Sequence, residues 1–97
     1  MSRVRSRKKP GLQLRLYVAG HAPNSLLAIA SITRLCEEHF PAAHDLEIVD
    51  MLDDPRRALA DGIIVTPTLL KLRPLPAQRL IGGLGDLQQV MRILEGK

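Results

Sequence analysis

The run Ile64–Leu72, IVTPTLLKL, sets a proline directly before the most strand-like segment of the chain. Proline has no backbone N–H to offer a neighbouring strand and its ring fixes φ. It therefore fits the first residue of a strand or an edge position and is excluded from a strand interior. It is also the residue before which a cis peptide bond is cheap. A fold that contains this segment must start a strand at Thr68 and turn the chain just ahead of it.

The rest of the chain supplies partners for that strand. LQLRLYVAG (Leu12–Gly20) alternates at Leu12, Leu14 and Leu16 and then turns continuously apolar, the pattern of a strand entering a buried sheet. After HAPNS, Asn24 or Ser25 is placed to cap a helix with Leu26, Ile29, Ile32, Thr33, Cys36 and Phe40 at helical spacing, ending before Pro41. HDLEIVDML (His44–Leu52) alternates again through Leu46, Ile48 and Leu52, so the first three elements have the length of a parallel β-α-β crossover. Asp54 and Pro55 then cap and start a short helix that runs through Ala60 and stops at Gly62.

Beyond Thr68–Arg73, Pro74-Leu75-Pro76 reads as a turn and Gln78–Gly82 as the returning strand. Asp86 caps a last helix with Leu87, Val90, Met91 and Leu94 on one stripe. The order is β-α-β-α-β-β-α, an α/β fold without repeats or internal linkers.

At 97 residues the chain makes one domain, over residues 11–97, with residues 1–10 left as a solvated, disordered basic arm. The formal charge of +4 points to nucleic acid until it is located. Arg3, Arg5, Arg7, Lys8 and Lys9 carry five of the fourteen basic residues, which leaves nine basic against ten acidic in the folded part. A near-neutral domain with one Tyr, one Phe and no Trp lacks both the basic face and the stacking rings of a nucleic-acid binder.

Cys36 is the sole cysteine, which excludes an intramolecular disulfide, a CxxC redox pair and a cysteine zinc cluster, and fits a reducing compartment. His21, His39 and His44 are not at zinc-ligand spacing. No run approaches the length of a membrane helix, so a cytoplasmic location is expected, with no membrane contact. No phosphate-binding glycine motif occurs, so no cofactor is expected and any nucleotide belongs to a partner.

The element order resembles a thioredoxin-like domain, in which a cis proline precedes the third strand; Pro67 is the candidate. In thioredoxins the loop after the first strand carries the reactive cysteines, whereas here it reads Gly20-His21-Ala22-Pro23-Asn24-Ser25. LYVAGHAPNS (Leu16–Ser25), VTPTLLKLRPLP (Val65–Pro76) and RLIGGL (Arg79–Leu84), in this order and spacing, resemble the KaiB family of circadian-clock proteins over residues 12–94. The resemblance implies a non-catalytic regulator that binds a KaiC-like ATPase, modulates its phosphorylation and ATPase cycle, and competes with a KaiB-like domain of a histidine kinase. It also implies metamorphism, with a second α/β arrangement of the C-terminal half that assembles as a homotetramer, or a homodimer. The local signals of that half, the Pro-Leu-Pro turn and the Asp86 cap, favour the thioredoxin-like form.

The sequence departs from the family pattern at Leu27, at Gln78 and in Ile81-Gly82-Gly83-Leu84-Gly85-Asp86, which carries two extra glycines. Leu27 and Gln78 stand where relatives carry basic residues associated with KaiC contact, while Lys71 and Arg79 keep that character. Lys71, Arg73 and Arg79 on the hairpin make either a basic partner-binding face or a solvated sheet edge. Asp50, Asp53 and Asp54 are accounted for by a strand end and a helix cap. Two other functions compete, a thioredoxin-like thiol enzyme using Cys36 and a stress-related interaction adaptor. Cys36 on the apolar face of a helix is in the wrong setting for the former.

Overall fold

The computed structural model describes residues 11–82 and 85–96; the arm at 1–10 lies outside them. The elements are β1 (Leu12–Val18), α1 (Pro23–His39), β2 (His44–Asp50), α2 (Pro55–Ala60), β3 (Thr68–Arg73), β4 (Gln78–Ile81) and α3 (Leu87–Leu94). The sheet order is β2-β1-β3-β4. β1 and β2 run parallel, as the crossover through α1 requires, and β3 is antiparallel to both β1 and β4. The expected β-α-β-α-β-β-α arrangement is the observed one.

Because side chains alternate across a strand, the sheet buries two different faces. One carries Leu12, Leu14, Leu16 and Val18 of β1 with Leu69 and Leu80, covered by Ala28, Ile32, Leu35 and Cys36 of α1 and by Val90 and Leu94 of α3. The other carries Tyr17, Val49 and Leu70, covered by Ala58 of α2 and by Ile63. The first face is almost wholly aliphatic, in keeping with the scarcity of aromatic residues.

Several local expectations are corrected. The N-cap of α1 is Ala22, two residues before Asn24 and three before Ser25, with Pro23 in the first turn and no side-chain cap bond. Ser25 is instead buried, and its Oγ accepts the Ala19 N–H at 3.0 Å. The buried stripe of α1 is Ser25, Ala28, Ile32, Leu35 and Cys36, so Leu26 is turned to solvent. In β2, Val49 rather than Ile48 is buried, and Leu52 is exposed. Ile48 pairs with Leu16 on the α1 face and Val49 with Tyr17 on the α2 face, so the alternation is kept, and Ile48 is exposed because β2 is the edge of the sheet. The Asp54 and Asp86 caps form as expected, their side chains accepting from Arg57 N and Gln89 N.

Lys71 is the largest departure. It is fully buried. Its partner in register is Gln78, next to the Leu69–Leu80 pair on the face under α1 and α3.

Candidate protein-interaction surface

β1 stops at Val18, and the loops around its C-terminal end are held by specific bonds. Asp50 at the end of β2 accepts the Gly20 N–H at 3.0 Å and the Leu52 N–H at 2.9 Å through one carboxylate oxygen. Those two backbone donors hold its carboxyl below the usual carboxylate range. Gly20 has φ of 56°, and a β-carbon there would lie 3.1 Å from the Leu52 side chain, so both conformation and space call for glycine. Across the end, the Thr66–Pro67 peptide is cis. Thr68 donates its hydroxyl to Val65 O at 2.6 Å, and Gly82 N donates to Pro67 O at 3.0 Å.

Between the start of α1 and the Pro67 turn lies a cleft of about 300 Å³, lined by Asn24, Leu27, Ala28, Ser31, Thr66, Pro67, Gly82 and Gly85. Among the described residues, no charged side chain lines it. Around it, Leu26, Leu27, Leu52, Ile64, Val65, Ile81 and Leu87 are exposed, seven of the ten exposed large apolar residues among those described. Such residues scattered singly are ordinary, but their gathering at one end is the mark of a surface that meets another molecule. The described residues of this end present an apolar surface on fixed loops, with the Ser31 and Thr66 hydroxyls in the lining of the cleft.

The three hairpin cations are not brought onto one face. Lys71 points under the α1/α3 layer, Arg73 is exposed at the far end of β3, and Arg79 lies on the α2 side with its register partner Leu70. The Arg79 guanidinium donates to Asp61 O at 2.7 Å and Gly62 O at 3.1 Å, which places its charge beside the Ile63–Val65 segment. Of the three, Arg79 is the cation that flanks the apolar end.

Cys36 is far from it, thirteen residues along α1 from Pro23 or about 20 Å of helix rise. It is wholly buried, and burial pushes its thiol up to about 11, aided by the nearby Glu37 charge. At neutral pH the group is a protonated thiol shielded by the core. Disulfide reagents are accordingly expected to leave folded protein unmodified and to titrate one thiol per chain in denaturant; rapid reaction without denaturant would contradict this placement.

A polar network on the α2 side escaped the sequence reading. Glu47 of β2 accepts from Arg57 Nη1 at 2.7 Å and Arg15 Nε at 2.9 Å. Arg15 Nη1 also reaches Asp61 at 3.0 Å, and the buried Tyr17 hydroxyl donates to Asp61 at 2.6 Å. These bonds tie α2 to β1 and β2 and so fix the start of the loop that carries Ile64. The Arg57 bond, with Arg15 adding to it, lowers the Glu47 carboxyl to about 2. The Tyr17 bond foremost lowers that of Asp61. A carboxylate with a depressed folded pKa stabilises above its unfolded value, near 4.3 for Glu, and that stability fades as pH falls toward 2. Because Glu47 is half exposed, Glu47→Gln is expected to lose only about 1 kcal/mol at pH 7. The gap to the parent, read from melting temperatures, should close between about pH 4 and pH 2. A gap unchanged over that range would refute the linkage.

The fold and its cysteine-free β1–α1 loop define the class, a thioredoxin-like domain without the dithiol. The sequence model of the KaiB domain matches residues 15–95. The circadian clock protein KaiB3 of Synechocystis sp. is 44% identical over 78 residues, covering 80% of this chain and 76% of that one. The circadian clock oscillator protein KaiB of Synechococcus elongatus is 42% identical with the same coverage. The chain belongs to the KaiB family. Among solved structures, the N-terminal domain of Synechococcus elongatus SasA superposes with a TM-score of 0.73 at 24% identity, covering 93% of this chain and 88% of that one. Mitochondrial thioredoxin 3 of Saccharomyces cerevisiae gives 0.75 at 13% identity, covering 96% and 85%. Both likenesses concern the fold.

Proposed function

We propose that this protein is a non-catalytic regulator of the circadian-clock type, which docks its apolar end onto a KaiC-like ATPase and modulates that enzyme's phosphorylation and ATPase cycle. The observation that carries the reading is the gathering of exposed Leu, Ile and Val side chains around the loop where thioredoxins keep their cysteines. The same location that serves thioredoxins for thiol chemistry here presents a packing surface and a cleft with no charged side chain among its described lining residues. Buried Cys36, held protonated and distant, supports a role without thiol chemistry.

Family membership supports the choice of partner, and Arg79 at the edge of the apolar end supplies a cation for an acidic group on it. Leu27 beside the cleft, in place of a basic residue, favours a partner surface more apolar at that point than the one relatives meet. A kinase carrying a KaiB-like domain of the same fold would compete for the same site.

Size-exclusion of a mixture with the KaiC-like ATPase of the same cell, followed by its phosphate release, tests the reading. Co-elution with an altered ATPase rate is expected. Separate elution together with an unchanged rate would overturn it.

A further inference from the structure

Arg79 reads in the sequence as one of the hairpin cations, yet its guanidinium is turned onto its own chain. Nη2 donates to Asp61 O at 2.7 Å and Nη1 to Gly62 O at 3.1 Å. Both carbonyls lie past the last turn of α2, where no helical N–H reaches them. The planar fork of an arginine presents its N–H groups in a fixed arrangement that holds two neighbouring carbonyls at once. A lysine ammonium on its flexible stem carries the same charge without the fork.

The turn under this clasp is a helix end closed by two further bonds, Gly62 N–H to Leu59 O at 3.0 Å and Ile63 N–H to Ala58 O at 2.9 Å, with Gly62 at φ of 70°. A β-carbon on Gly62 would stand 3.8 Å from Arg79 Nη1, so the guanidinium packs over the turn. Asp61 is thereby pinned from two strands, its carboxylate by Tyr17 and Arg15 of β1 and its carbonyl by Arg79 of β4. Just beyond come Ile64 and Val65, 88% and 48% exposed, and Val65 O accepts the Thr68 hydroxyl. The most exposed large apolar side chain of the docking end therefore projects from a short span whose N-terminal side Arg79 holds.

We propose that Arg79 is a positioning residue for docking: its fork fixes the turn from which Ile64 and Val65 project, in addition to the charge it brings there. A span held in place before the partner arrives loses less conformational entropy when the partner covers it. The role in docking rests on the proposed function, whereas the clasp itself does not.

Arg79→Lys separates the two contributions, since it keeps the charge and removes the fork. In the free full chain, hydrogen exchange of the Gly62 and Ile63 amides is expected to quicken about fivefold in this variant, with the amides of β1 and α1 unchanged. Affinity for the KaiC-like ATPase of the same cell should fall about tenfold. The factor should be the same at about 50 mM and about 300 mM salt, because screening acts on a charge that the variant retains. Arg73→Gln, which removes the exposed cation at the far end of β3, is the control and should bind as the parent does. Unchanged exchange at 62 and 63 in Arg79→Lys overturns the clasp, as does a quickening of every amide alike. Quickened exchange there with parental affinity overturns the role in docking, and so does a loss of affinity that vanishes at the higher salt. A parent chain that does not bind the ATPase overturns the proposed function and the docking role with it, while the exchange measurement still decides the clasp.

Discussion

Ile64→Asp is expected to weaken binding of the KaiC-like ATPase about thirtyfold, a loss of about 2 kcal/mol, with the domain's melting temperature within a few degrees of the parent. Ile64 is 88% exposed, the highest value among the exposed large apolar side chains. It therefore contributes little to folding. Its neighbours Ile63 and Asp61 are fixed, the first by burial and a 2.9 Å bond from its N–H to Ala58 O, the second by Tyr17 and Arg15. An apolar side chain presented on a fixed backbone pays little ordering entropy when a partner covers it, which is the condition for an interface anchor. An aspartate there would have to be buried as an unpaired charge against the same partner surface. Leu75→Asp, at an exposed leucine of the opposite hairpin turn, is the control and should bind as the parent does. Equal binding by Ile64→Asp and the parent would remove the apolar end from the account.

Ile32→Ala is expected to lose about 3 kcal/mol of stability, lowering the melting temperature on the order of 15 °C. Ile32 is fully buried at the middle of α1, in the cluster that joins β1, β3, β4 and α3. Truncation removes its transfer energy and leaves a cavity that rigid neighbours fill only in part. Ile32 does not itself line the cleft, but its helix neighbours Ala28 and Ser31 do, so the stability loss is the part of the prediction that tests the core. Thermal unfolding reads that loss. A loss below about 1 kcal/mol would mean that α1 is not seated on the sheet as described.

The element order was legible because each element carries a local signal that agrees with its neighbours: Asp54-Pro55 starting α2, Pro67 ahead of β3, the Pro-Leu-Pro turn, Asp86 capping α3. The KaiB resemblance was legible for the same reason, since its motifs fall on the loops those signals define. The misreadings have a common cause. Hydrophobic periodicity places Leu26, Ile48, Leu52 and Leu87 inward, yet they are exposed, and Ser25 and Lys71 are buried in spite of polarity. Periodicity assumes that apolar residues face the core. At a docking surface that assumption fails, because some apolar side chains serve a partner instead. Ile64 and Val65, apolar and outside every periodic stripe, were the available signal. Lys71 offered a different one: in the buried β3 pattern Thr-Leu-Leu-Lys-Leu, strand alternation puts Lys71 on the same face as Leu69, which is core. The Glu47, Arg15, Arg57, Asp61 and Tyr17 network joins residues up to 46 positions apart, and no local pattern encodes such pairings.

The central claim is that one end of the domain is the part that meets the ATPase, and hydrogen–deuterium exchange of the complex tests it most directly. Binding is predicted to slow exchange at 20–27, 52, 63–67 and 81–82, while the opposite end at 41–44 and 74–77 keeps its free-state rates. Protection confined to that opposite end, or no protection anywhere under saturating ATPase, would contradict the account.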